Sequence, residues 1–213
     1  MRRHGDEWLV NRRPNEPTQP GESVMDELML LQRVVDETNR VVDHVSDAQM
    51  ANPSPCEGWC VRDVLNHITG GATMFAISAE QGSVSDEVLG QLMGGDNLGQ
   101  DAKGAWATAS TKALAAFGEP GVLDKIVTLP FGDMPASAAL SIAVFDVLTH
   151  AVDIASSTGQ EIADVELVET ALAMGHQMVG PELRQPGVFD AEQPVAADAP
   201  ATTRLLAFAG RRV

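Results

Sequence analysis

Asp146-Val-Leu-Thr-His150-Ala-Val-Asp153 lies inside the most apolar stretch of the sequence. Between Ala138 and Ala155 the polar side chains are Ser141, Asp146, Thr149, His150 and Asp153. A helix turns about 100° per residue, so with Asp146 at 0° His150 falls at roughly 40°, Thr149 at roughly 300°, Asp153 at roughly 340° and Ser141 at roughly 220°. Four of these five groups share one arc of roughly 100°, the width of a stripe that faces a core. Ionisable groups buried without partners cost several kcal/mol, so this face needs a reason. Aspartate and histidine at i and i+4 stand one above the other, the spacing with which one helix gives two ligands to a divalent metal. An Asp–His hydrogen bond explains the pair equally well, and a third ligand from elsewhere would decide between them.

The best source of a third ligand is the segment from Val61 to about Ala79, where Val64, Leu65, Ile68, Ala72 and Phe75 recur at helical spacing. His67 faces the same way as that stripe, as a core histidine bonded to a carbonyl or as a ligand. Gly70-Gly71 removes side-chain bulk one turn later, as expected where something approaches closely. Cys60 takes the N-cap position of this helix with Asp63 at N3. A thiol there is either activated by the helix terminus or a small residue in a loose cap.

The remaining segments are also helical. Ser23 to about Met50 carries Leu28, Leu31, Val34, Val35, Val41, Val42 and Val45 at helical spacing, with His44 among acidic neighbours and read as solvent-facing. Asn52 to Trp59 is a Pro-, Asn- and Gly-punctuated loop. Gln81 to about Asp96 reads as a loop or at most a short helix, and Leu98 to Phe117 as a third long helix. Asp124 to Met134 is extended, a connecting segment or short ribbon closed by a turn at Gly132. Pro135 suits the first turn of the helix that contains Asp146, and Asp133 before it complements the helix dipole. That helix runs to about Ser157, with Gly159 as its cap. Ala163 to Val179 gives another, with His176 near its last carbonyls, and Thr203 to Gly210 a short terminal one. The pattern predicts an all-α, up-and-down bundle of about four main helices, forming one domain over residues 23–213.

Residues 1–22 hold Pro14, Pro17 and Pro20 with Gly5 and Gly21 and too few apolar side chains to offset ordering, so a loose extension is expected there. Met1 and Met25 are both candidate starts of translation. A formal charge of −16 over 213 residues repels nucleic acid and anionic membrane. The apolar runs are broken by charge, so no membrane span is expected, and the amino terminus lacks the apolar core of a secretory signal. Two cysteines do not make a disulfide framework, and a cytoplasmic setting is the default.

Four motifs occur in order: Pro-Ser-Pro-Cys-Glu-Gly-Trp-Cys-Val-Arg-Asp-Val-Leu-Asn-His over 53–67, Phe-Gly-Asp-Met-Pro over 131–135, Asp-Val-Leu-Thr-His-Ala-Val-Asp-Ile-Ala-Ser-Ser-Thr-Gly-Gln over 146–160, and Arg-Leu-Leu-Ala-Phe-Ala-Gly-Arg-Arg over 204–212. In them the chain resembles the actinobacterial branch of the DinB-like metal-binding superfamily, related to the amino-terminal domain of mycothiol-dependent maleylpyruvate isomerase. The resemblance covers roughly residues 24–212. It implies a DinB-like four-helix bundle with a divalent metal, zinc or nickel, at one end of its core. The family's histidine after the W-x-V-R-D pattern falls on His67, and its D/E-x-x-x-H pair on Asp146 and His150. Three protein ligands leave an open position, as in catalytic rather than structural sites. Asp153, on the same face, is a candidate to orient His150 from behind. Family members usually have threonine at the place of Cys60 and tryptophan at that of Val152.

The leading expectation is a metalloenzyme using a low-molecular-weight thiol, mycothiol, in a transferase- or isomerase-like reaction on a small electrophile. Hydrolysis without a thiol is a variant of it. Maleylpyruvate isomerisation itself is not implied, since that enzyme carries a second, carboxy-terminal domain for substrate handling. The alternative is a metal-binding module without turnover, such as a sensor, carrier or interaction protein, and a metal-free buried polar network is the third reading. The expected partners are small molecules rather than nucleic acid or membrane, and the expected state is a monomer or homodimer.

Overall fold

The computed structural model describes residues 20–185 and 189–213, with side chains from Asp26 onward. Helix α1 (Pro20–Asp43) is followed by α2 (Val61–Gln81), α3 (Asp86–Gly94) and α4 (Ala102–Gly118). Strands β1 (Ile126–Leu129) and β2 (Gly132–Pro135) come next, then α5 (Ala136–Thr158), α6 (Val165–Met178) and α7 (Ala201–Phe208). α1 packs on α4 and α5, and α2 packs on the same two helices, so α1 and α2 face one another across a four-helix core. α6 and α7 pack together and against α5. The all-α bundle with a short carboxy-terminal helix is therefore the observed architecture.

Several boundaries differ from the sequence reading, each for a local reason. α1 begins at Pro20, ahead of Ser23, and residues 1–19 of the expected extension lie outside the described residues. Instead of running to Met50, α1 stops at Asp43, and a separate 3-10 turn covers Asp47–Ala51. There the Gln160 side chain donates to the Val41 carbonyl (3.1 Å), and Ser46 opens a new turn by donating its N–H to the Gln49 side chain (3.0 Å). α4 starts at Ala102 rather than Leu98, because the Asp101 carboxylate accepts the Gly104 N–H at 2.9 Å. Asp164 does the same for α6, accepting from Leu167 N–H at 3.0 Å, while Arg33 of α1 donates to that carboxylate and ties the two helices together.

The extended segment is a two-stranded antiparallel ribbon that pairs Leu129 with Gly132 and Ile126 with Pro135. Val127 and Leu129 point into the core while Ile126 and Thr128 point out, the alternation of a half-buried strand. Asp133 does not serve the helix dipole; its carboxylate accepts the Thr128 hydroxyl across the ribbon at 2.7 Å.

Leu65, Ile68, Trp106, Phe117, Leu140, Leu148, Ile154, Leu167 and Leu205 are among the fully buried side chains, so an aliphatic core replaces an aromatic one. α5 is long and apolar enough to cross a membrane by length and composition, which the expectation of no such span overlooked, but 78% of its most apolar window is buried within the bundle. A helix wrapped on several sides is apolar all round. Its polar arc is then the exception that must be accounted for.

Candidate metal centre

α2 and α5 lie side by side and bring His67 opposite Asp146 and His150. His67 Nε2 lies 3.4 Å from Asp146 Oδ1, and His150 Nε2 lies 3.6 Å from the same oxygen. One ligand atom from each of the three residues falls within 4.8 Å of the others. Donors around one tetrahedral zinc stand roughly 3.3 Å apart, given bonds of about 2.0–2.1 Å. Two imidazole nitrogens and a carboxylate oxygen at this spacing fit a divalent ion after small side-chain rotations.

The surroundings fix the orientation that such a centre requires. His150 Nδ1 bonds Asp153 Oδ2 at 2.9 Å, which commits the ring proton to that side and leaves Nε2 as the free donor atom facing Asp146. Asp153 is completely buried, and Arg211, beyond α7, reaches both of its oxygens from Nε (3.3 Å) and Nη2 (3.0 Å). The Trp59 ring stacks on His150 (centroids 5.8 Å, planes 18° apart) and tilts against His67 at 5.1 Å, forming one wall. Its loop is pinned by Val61 N–H to the Asn52 carbonyl (3.0 Å), by Ser54 N–H to the Trp59 carbonyl (2.9 Å), and by the Asn52 side chain donating to Ser157 on α5 (2.9 Å).

An open cleft of about 350 Å³, lined by Gly58, Trp59, Asp63, Asn66 and Met93, reaches His67. His67 and Asp146 keep part of their side-chain surface exposed, whereas His150 is nearly buried.

Asp146, Thr149, His150 and Asp153 do share a face of α5 turned inward, with Thr149 and Asp153 buried. Of the glycine pair, only Gly70 is required by a close approach. A Cβ on Gly70 would meet the Leu92 carbonyl oxygen at 2.4 Å, so this glycine admits the backbone of α3, while a Cβ on Gly71 would stand 3.7 Å from Asp146 Oδ2. Cys60 is half-buried at the N-cap of α2, where its backbone N–H donates to Asp63 at 2.8 Å. His44 is exposed, with Nδ1 against the Arg40 carbonyl, and His176 packs edge-on to Phe208. Trp59 and Arg211 received no role from the sequence. Both belonged to quoted motifs, but a histidine's stacking partner and a contact spanning 58 residues leave no periodic trace.

Electrostatics follow from this packing. Burial pushes the Asp146 carboxyl up, but the charge and hydrogen bond of His67 and the charges of His150 and Arg211 outweigh it and bring it down to about 2. Burial pushes His67 down, and the adjacent Asp146 carboxylate outweighs that, leaving its pKa above the ordinary value. In the metal-free protein the Asp146 contribution to stability is present above about pH 4 and is lost only as pH falls through about 2. The His67 contribution is complete below its unfolded value of about 6.5 and is lost as pH rises through the raised folded value. Metal-free protein should therefore lose thermal stability as pH rises from below about 6.5 through the raised folded value of His67, and a bound divalent ion, taking the place of the His67 proton, should restore it at the alkaline end. Melting curves over that rise with and without zinc check this. An unchanged metal-free midpoint across the window would contradict the His67–Asp146 pairing.

With the geometry in place, the chain can be set beside known proteins. The family profile described as the mycothiol maleylpyruvate isomerase N-terminal domain matches residues 31–155, and the chain belongs to this family. Uncharacterized proteins of Mycobacterium tuberculosis, in strains CDC 1551 / Oshkosh and ATCC 25618 / H37Rv, are each 32% identical over 191 residues, spanning 89% of this chain and 100% of theirs. The crystal structure of the mycothiol-dependent maleylpyruvate isomerase superposes with a TM-score of 0.58 at 21% identity, over 71% of this chain and 67% of that one. A histidine-to-alanine mutant of that enzyme gives a TM-score of 0.59 with the same identity and coverage. At that identity the likeness establishes the DinB-like fold.

Proposed function

We propose that the protein is a metalloenzyme that holds a divalent ion, zinc before nickel, on His67, Asp146 and His150 and uses it to present a low-molecular-weight thiol to a small electrophile. The observation that carries this reading is the convergence of three donor atoms at a half-open site whose rear histidine is already fixed in the ligating tautomer. Family membership favours mycothiol as the thiol. The ion would supply Lewis acidity that lowers the thiol pKa. Asp146 contributes the one anionic donor, which leaves net positive charge to attract a thiolate. Trp59 excludes water from one side of both imidazoles, and the cleft over His67 admits the substrates. A transferase- or isomerase-like reaction fits this arrangement. The two free cysteines suit a reducing compartment, which supports the cytoplasm as the setting.

One observation favours a second reading, a metal-binding module without turnover. Asp153, the remaining acid of the cluster, is committed to His150 and Arg211, so among the described residues at the site it is not free to act as a general base. Metal content by mass spectrometry on protein purified without a chelating tag tests the metal directly. Titration of the cobalt-substituted protein with mycothiol then tests the thiol. About one ion per chain, a new sulfur-to-cobalt absorption and consumption of thiol in the presence of electrophiles are expected. Absence of metal, together with no uptake on titration, would overturn the reading. Metal without thiol binding would favour the module.

A further inference from the structure

Arg211 stands outside every expectation the motifs raised, yet it ties the carboxy-terminal tail to the buried acid behind the centre. Its position begins with the end of α7. Gly210 has a φ of 85°, a left-handed conformation that suits glycine. Its N–H bonds the Ala207 carbonyl at 3.0 Å, and the Arg211 N–H bonds the Leu206 carbonyl at 2.9 Å. These two bonds are the Schellman closure that terminates a helix and reverses the chain. A Cβ on Gly210 would meet Asp190 backbone atoms at 2.9 Å, so the glycine also lets the tail lie flat against that segment. Arg211 leaves this turn pointing inward, held by a third bond from Nη1 to the Ala209 carbonyl (2.9 Å). Its guanidinium occupies both oxygens of Asp153, so the carboxylate cannot rotate about its own axis without losing a bond. Asp153 then has one direction in which to meet His150 Nδ1.

We infer that Arg211 is a positioning residue for the metal centre: the terminal turn of α7 clamps Asp153 through the arginine fork, and Asp153 in turn aims His150 Nε2 at the ion. This rests on the metal reading of the site and extends it to a tail remote from the ligands in sequence. Outer partners of a ligating histidine typically change metal affinity by ~10- to 100-fold, and the fork geometry of arginine is not reproduced by lysine.

The test measures cobalt and zinc affinity by competition with a chromophoric chelator, with the visible bands of the cobalt protein as the second readout. Wild type is compared with Arg211→Met, Arg211→Lys and Gly210→Ala, each checked for native fold by circular dichroism. Arg211→Met should bind ~10- to 100-fold more weakly with shifted cobalt bands. Arg211→Lys should recover part of the affinity but not the wild-type bands. Gly210→Ala, which displaces the tail without removing a charge, should weaken binding in the same direction. If Arg211→Met does not fold, the other two variants decide, and wild-type affinity and bands in both would overturn the role of the arginine. Unchanged variants beside a metal-binding wild type would sink this inference alone. A wild type that takes up no ion would sink it together with the proposed function.

Discussion

His150→Ala is expected to lower zinc affinity by at least ~100-fold, beyond what loss of an outer partner alone costs, and to leave the purified protein with little metal. The change removes one of the three donors that converge there among the described residues. Asp146 and His67, on separate helices, would be left to hold the ion between them. The substitution also takes the Nδ1 partner from buried Asp153, which keeps only Arg211. Loss of a hydrogen bond to a buried charged group costs about 1–3 kcal/mol. Reduced stability in the metal-free state should therefore accompany the lost affinity, whereas His67→Ala, on the more open side, should lose metal with a smaller stability cost. Elemental analysis and chelator competition measure the first effect and thermal melts the second. Retention of one full equivalent of metal by His150→Ala would remove this histidine from the ligand set.

How much of this centre was legible in the sequence depends on the range over which each cue acts. Asp146 and His150 are four residues apart on one helix, and helical geometry alone put them on a common face with Thr149 and Asp153. His67 could be aligned with its apolar stripe, but no spacing places α2 beside α5. That came from the family resemblance and is seen in the structure. Helix ends were read less well because they depend on side-chain bonds. Asp101 and Asp164 cap α4 and α6 later than the periodic pattern suggested, and Gln160, far along the chain, takes the carbonyl of Val41 where α1 ends. Least legible was Arg211. In sequence it is one of two adjacent arginines near the carboxy terminus. Arg212 is largely exposed against Glu57, whereas Arg211 is nearly buried, a difference decided by the left-handed turn at Gly210.

A stability loss larger than that of His150→Ala should come from Asp153→Ala. Asp153 is completely buried and accepts from two groups, His150 Nδ1 and the Arg211 guanidinium, and burial raises its pKa less than these partners lower it. Removing one member of a buried ion pair strands the other, at about 3–5 kcal/mol. For a chain of this size each kcal/mol shifts the melting midpoint by roughly 2–4 °C, so a fall on the order of 10 °C is expected in metal-free protein. The stranded arginine has one route of relief. It borders a cleft of about 530 Å³ shared with Cys56 and Asp190, into which its head can swing and become solvated. Arg211→Met gives no such relief to Asp153, which is completely buried and keeps His150 as its remaining partner. The double variant Arg211→Met/Asp153→Ala removes both charges at once, so it should be more stable than the sum of the single effects implies. Thermal melts of the four proteins close the cycle. Strict additivity would mean that the pair is not energetically coupled, and the clamp behind His150 would then be a contact without consequence.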